Sequence, residues 1–107
     1  MESISFISPS RNNLSYLKWM YNSIRKNIGY RHEILLADDF SQDGTWEWLQ
    51  EIQKTDPNIK TFRNEGPERK GIVYWYDYLC EQASNDIVMF LHADMYVTPK
   101  FFLIELY

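Results

Sequence analysis

Ile34-Leu-Leu-Ala-Asp38-Asp39-Phe-Ser41-Gln-Asp43-Gly44-Thr45 is the stretch on which the chain turns. Aliphatic residues run directly into two adjacent carboxylates, a polar turn closes on Asp-Gly, and Thr45 opens a helical pattern. Apolar side chains gain by burial, whereas paired carboxylates must stay solvated or hydrogen-bonded. The stretch therefore reads as a buried strand that ends at a water-filled cleft. An open α/β sheet places its ligand chemistry at the carboxyl ends of such strands.

Upstream, Ser3-Ile-Ser-Phe-Ile-Ser8 alternates and predicts a first strand. Pro9-Ser10-Arg11-Asn12 is its expected exit loop, because proline does not continue a central ladder. Asn12 or Asn13 is placed to cap a helix in which Leu14, Leu17, Tyr21, Ile24 and Ile28 recur at helical spacing, with Gly29 at its end. His32 to Ala37 is the second strand. Downstream, a second helix runs from Thr45 and stops before Asp56-Pro57. Ile59 to Phe62 predicts a third strand, and Arg63 to Gly71 a breaker-rich loop. A third helix carries Ile72, Trp75 or Tyr76, Leu79 and Ala83. Asp86 to Leu91 is the fourth strand, and Thr98-Pro99 starts a fourth helix.

Strands and helices that alternate with short links predict an α/β, Rossmann-like fold. A mostly parallel sheet of four strands with helices on both faces is expected, in order 3-2-1-4 if strand 4 lies beside strand 1. The switch point then falls between strands 1 and 4. The strand ends at Ser8–Asn12, Asp38–Asp39 and His92–Asp94 converge there on one crevice.

The bulk properties narrow the classes. A length of 107 residues predicts a single domain over 1–107, and 45% apolar with 24% charged residues is an ordinary globular balance. A net charge of −4 without a basic block argues against nucleic acid as a partner. The longest apolar run, Ile87 to Leu91, is too short to span a bilayer, so no transmembrane segment is expected. Met1-Glu2-Ser3 lacks the features of a secretory signal. Cys80 stands alone and is expected as an inert core thiol, in keeping with a cytoplasmic setting.

Several residues carry candidate chemistry. In Asp38-Asp39 one acid can hold the turn while the other accepts a ring N–H from a ligand. Asp43-Gly44 is turn chemistry. His92 and Asp94, two apart on an extended chain, point to the same side and offer nitrogen and oxygen to a divalent cation. Arg11, Arg69 and Lys70 are available to a diphosphate.

Three segments resemble the amino-terminal half of family 2 glycosyltransferases, which have the GT-A fold. They are Ile4-Ser-Phe-Ile-Ser-Pro9-Ser10-Arg11-Asn12, Leu36-Ala-Asp38-Asp39-Phe-Ser41-Gln-Asp43-Gly44-Thr45, and Phe90-Leu-His92-Ala93-Asp94 followed by Pro99. The resemblance implies a nucleotide-sugar donor, with a UDP-sugar favoured, and a Mn²⁺ or Mg²⁺ cofactor. It also implies inverting transfer to a carbohydrate or other hydroxyl acceptor. By position, Pro9, Ser10 and Arg11 border the nucleoside, Asp39 accepts from the base with Asp38 beside it, and Arg69 or Lys70 assists at the diphosphate. Asp94, with His92, holds the metal. Arg11 stands where the family often has Tyr, Trp75 where a small residue is common, and His92-Ala93 where Asp-Ser is usual.

The family's catalytic base and most acceptor contacts come from a later half than this chain reaches. The isolated chain, apparently truncated at its carboxyl end, is therefore expected to bind donor rather than to turn over. The open edge at Asp86–Leu91 is expected to support a homo-oligomer. Two rivals stand beside this reading. One is a non-catalytic interaction module on a cut-down transferase fold. The other is a phosphoacceptor receiver domain, which places its acid pair after its first strand.

Overall fold

The computed structural model describes residues 3–29 and 31–98. Strands β1 (Ile4–Ser10), β2 (His32–Asp39), β3 (Ile59–Asn64) and β4 (Ile87–Phe90) alternate with helices α1 (Leu14–Asn27), α2 (Thr45–Thr55) and α3 (Ile72–Gln82). All strand pairs are parallel, as the alternation predicted, and β4 lies beside β1, which gives the expected order β3-β2-β1-β4. The expected fourth helix falls outside the described residues.

The pleat sorts side chains between two cores. Ile4, Phe6, Ile34 and Leu36 join Leu17, Met20 and Ile24 of α1 and Leu49 of α2 on one face. Ile7, Leu35 and Ala37 meet Trp75 and Leu79 of α3 on the other. β2 is thus apolar on both sides, which explains its near-continuous aliphatic run, whereas β1 interleaves its apolar residues with the buried Ser5 and Ser8.

β1 does not stop before Pro9. It continues to Ser10, with Pro9 opposite Ala37 and Ser10 opposite Asp38. Its β4 neighbour ends at Phe90 opposite Ile7, so beyond that point β1 needs no donor on its β4 side and the proline is tolerated. β2 and β3 also run two residues further than hydropathy suggested, to Asp39 and Asn64. Their polar ends are carried by ladder pairing rather than by burial pattern. On the other side of β4 no strand pairs among the described residues.

Two loops at the carboxyl ends of the strands are laced together. Asn13 makes no side-chain cap on α1. Instead, the Leu14 amide donates to Asp43 Oδ2 at 3.0 Å from the loop after β2. Asp43 Oδ1 accepts from the Thr45 amide at 3.2 Å and the Thr45 hydroxyl at 2.5 Å. The Asn12 amide donates to Ser41 Oγ at 2.9 Å, and Asn12 Oδ1 accepts from the Gln42 amide at 2.7 Å. Asp43 therefore serves two helix starts at once, a wider role than turn chemistry. Asn12 holds its place at φ 50°, a left-handed conformation that asparagine tolerates.

Cys80 is exposed on α3, not in the core. The helix turns Trp75 and Leu79 inward, and Cys80 falls on the opposite side.

Candidate functional site

A cleft of about 420 Å³ opens at the switch point between β1 and β4. Pro9, Ser10 and Arg11 line it from the end of β1, Asp39 from the end of β2, and Arg69, Gly71 and Trp75 from the third crossover. His92, Ala93 and Asp94 close it after β4. Three strand ends far apart in sequence are brought to one place because all strands run parallel.

Asp39 is only 5% exposed and is heavily hydrogen-bonded. Its Oδ1 accepts from the Lys70 amide and from Asn64 Nδ2, both at 2.9 Å. Its Oδ2 accepts from the Gly71 amide at 2.9 Å. Burial opposes ionisation here, but the Lys70 amide, Asn64, the Gly71 amide and the nearby Trp75 indole outweigh it and hold the carboxyl below its ordinary pKa. The indole N–H approaches the carboxylate without reaching hydrogen-bond geometry. Asp39 thus pins the loop between β3 and α3 against the sheet. Gly71 reaches it at φ 86°, a conformation that favours glycine, and no atom would obstruct a Cβ there.

Asp38 behaves differently from its neighbour. It is 1% exposed, lies outside the cleft lining, and its Oδ1 accepts from the Ser41 amide at 3.0 Å. The pair therefore splits into a turn-holding acid and a cleft-lining acid. Lys70 also parts from the expected set. Its amide serves Asp39, but its ammonium group lies 5.4 Å from the Tyr74 ring centre in an adjacent groove shared with Trp46 and Arg63. Arg69 is the basic residue of this loop that lines the cleft.

Four buried side-chain polar atoms lack partners among the described residues: Ser10 Oγ, Arg11 Nε, Asp38 Oδ2 and Trp75 Nε1. Three of the four belong to residues that line the cleft. Such atoms are costly elsewhere in a fold, and their concentration here marks a site rather than a packing seam.

His92 and Asp94 are exposed at the cleft wall and flank a turn in which the Met95 amide donates to the His92 carbonyl at 3.1 Å. Among the described residues no group of three or more His, Cys, Asp or Glu is arranged to hold a metal ion. One carboxylate and one imidazole leave most of a coordination shell to other ligands, which suits a cation shared with a diphosphate.

Trp75, Gly71 and Asn64 were missing from the expected site. Trp75 read as core at its helical spacing, and it is both, 3% exposed and yet lining the cleft. Asn64 carried no sequence signal, because its role comes from lying opposite Asp39 in the β2–β3 register.

The family model described as Glycosyl transferase family 2 matches residues 5–107. The chain belongs to that family. It is 30% identical over 98 residues to the dolichol-phosphate mannosyltransferase of Pyrococcus furiosus, a match that covers 91% of this chain and 27% of that protein. The crystal structure of GalNAc-T7 with UDP, GalNAc and Mn²⁺ superposes with a TM-score of 0.81 at 26% identity, over 94% of this chain and 19% of that one. Residues 1–349 of Staphylococcus aureus TarS, in complex with UDP-GlcNAc, give a TM-score of 0.78 at 24% identity, over 92% and 28%. The chain spans about a third or less of the length of the curated relatives it matches. Its parallel sheet in order 3-2-1-4 has the GT-A arrangement of these structural neighbours. A receiver domain, whose doubly wound order is 2-1-3-4-5, is thereby set aside.

Proposed function

We propose that this family 2 domain binds a nucleotide-diphosphate sugar, with a UDP-sugar favoured, for inverting transfer of the sugar to a carbohydrate or other hydroxyl acceptor. One observation carries the reading: a single cleft holds two guanidinium groups, a buried carboxylate and an exposed His-x-Asp turn. These groups match the parts of the donor. Asp39 Oδ2 has one hydrogen-bond donor and retains a lone pair for a base N–H. Pro9, Ser10 and Arg11 border the nucleoside, and Arg69 meets the diphosphate. Asp38 supports Asp39 through the turn, and Lys70 contributes its backbone.

Asp94 with His92 would hold Mn²⁺ or Mg²⁺ against the diphosphate. Bound there, the cation supplies Lewis-acid stabilisation of the charge on the departing nucleoside diphosphate. GalNAc-T7, which shares the fold, is held with UDP and Mn²⁺, and this supports a nucleotide and a divalent cation as ligands. Among the described residues no helix is long and apolar enough to cross a membrane; a cytoplasmic setting belongs to the same proposal. So does self-association through the open edge of β4, where Phe90 is 51% exposed. A monomer by light scattering across a concentration series would remove that part. For the isolated chain the proposed activity is donor binding, with no residue of it assigned as catalytic base.

Calorimetry with UDP, GDP, dTDP and CDP, each with and without Mn²⁺, tests the reading. Metal-dependent binding that favours UDP and is lost in Asp39→Ala and Asp94→Ala supports it. Binding of no nucleotide, or binding indifferent to both substitutions, contradicts it.

A further inference from the structure

Helix α1 differs from the other helices in charge. It carries Lys18, Arg25 and Lys26 and no acid, in a chain whose net charge is −4. α2 mixes Glu47 and Glu51 with Lys54, and α3 carries Asp77 and Glu81 with no base. Arg25 is committed to Asp56 at 2.8 Å. Lys18 and Lys26 are exposed and enter no ion pair among the described residues.

The same helix exposes large aromatic rings. Tyr16 is 56% and Trp19 47% exposed, and helical spacing sets Trp19, Asn22, Lys26 and Lys18 along one outward arc with Tyr16 at its flank. Beside them the segment after β4 adds Met95 and Tyr96, both more than a third exposed. The Tyr96 ring centre is 5.0 Å from that of Trp19. This cluster is held in place. Asn27 Nδ2 donates to the Val97 carbonyl at 2.7 Å and to Tyr96 Oη at 3.3 Å, and the Val97 amide donates to Ser23 Oγ at 2.9 Å.

A fixed pair of Trp19 and Tyr96 flanked by lysines that enter no ion pair among the described residues suits a lipid headgroup layer. Aromatic rings with one polar edge settle there, and ammonium groups pair with anionic headgroups. We propose that the outer face of α1, together with Met95 and Tyr96, docks on the surface of an anionic bilayer without crossing it. The exposed apolar residues Ile72, Val73 and Tyr74 in the first turn of α3 have Lys70 over the Tyr74 ring, but the same helix carries Asp77 and Glu81 and no base, so that face lacks the acid-free charge of α1. Charge complementarity thus selects α1. The inference is independent of nucleotide binding, but it has a consequence for the cleft. α1 begins directly after the Arg11-Asn12-Asn13 loop, and Tyr96 follows Asp94 closely, so docking brings the cleft mouth near the headgroup layer.

Co-sedimentation of the 107-residue chain with phosphatidylcholine vesicles, with and without phosphatidylglycerol, tests the proposal. Two lysines at roughly fivefold each predict partitioning at least about tenfold stronger on anionic vesicles, falling at high salt. Lys18→Glu with Lys26→Glu should reduce it to the neutral-vesicle level. Tyr16→Ser with Trp19→Ser should abolish it, while Val73→Ser leaves it unchanged, all with wild-type circular dichroism. Brominated lipid should quench tryptophan emission in the wild type and not in Trp19→Phe. Absence of sedimentation on anionic vesicles, or sedimentation indifferent to the α1 substitutions, would overturn the proposal. So would a dimer in lipid-free solution that Trp19→Ser dissolves, which would assign this face to a second copy of the chain.

Discussion

Replacing Asp39 by alanine should loosen the loop between β3 and α3 and cost measurable stability, even without any ligand. The carboxylate accepts three hydrogen bonds at 2.9 Å, from the Lys70 amide, the Gly71 amide and Asn64 Nδ2. Hydrogen bonds to a charged group contribute about 1.5–3 kcal/mol each. Lys70 and Gly71 are exposed, so their amides recover water on loss of the acid, whereas Asn64 is 9% exposed and recovers less. The net loss is therefore set at about 2–3 kcal/mol, near the value of one strong bond plus two solvated ones. Urea unfolding followed by tryptophan fluorescence reads it as a midpoint lowered by about 1–2 M at unchanged slope. Hydrogen exchange should show the Lys70 and Gly71 amides losing protection.

The pH dependence makes this prediction sharper. The folded carboxyl titrates below the unfolded one, for which about 3.9 is usual, so its contribution is present above that value and lost as pH falls through the folded pKa. The gap between wild type and Asp39→Ala should be constant from neutral pH down to about pH 5 and shrink below about pH 4. A variant within about 0.5 kcal/mol of wild type at neutral pH would refute the pinning argument, since that is the range of ordinary surface substitutions. A gap that persists unchanged in acid would refute it too.

Two further substitutions probe the frame that holds the cleft. Asp43→Ala removes the acceptor that caps α1 across the chain and also the one at Thr45, so it should cost about 1–2 kcal/mol; Asp43→Asn should recover part of it, as read by thermal melts. Asp56→Asn should cost about 2–4 kcal/mol in urea unfolding, mostly through the buried Tyr21 hydroxyl and the Asn58 amide, because Arg25 is about half exposed. Tyr21, pushed up to about 12 by burial and then by Asp56, should titrate at lower pH in that variant, measured by ultraviolet difference absorbance.

The layered α/β arrangement was legible because its signals are local. Aliphatic runs, helical stripes and breaker loops alternate cleanly, and the parallel order follows from that alternation. What escaped the sequence came from contacts between segments. The cap of α1 was sought at Asn12 or Asn13, yet it is supplied by Asp43, twenty-nine positions from Leu14. Asn64 matters only through the strand register that sets it beside Asp39. Pro9 was taken as a strand end because a short β4 was not foreseeable from β1 itself. The acid pair was visible as a pair, but its division of labour was not. Asp38 faces the turn because Ser41 offers its amide there, and Asp39, one residue on, faces the opposite way by the pleat.

The proposed binding of a nucleoside diphosphate together with a divalent cation in the cleft at the β1–β4 switch point is decided by titration calorimetry of UDP, with and without Mn²⁺, on wild type and on Asp94→Ala. Binding should strengthen with Mn²⁺ in the wild type, and the metal effect should disappear in the variant. UDP binding with the same metal dependence in Asp94→Ala, or no UDP binding by the wild type, would contradict it.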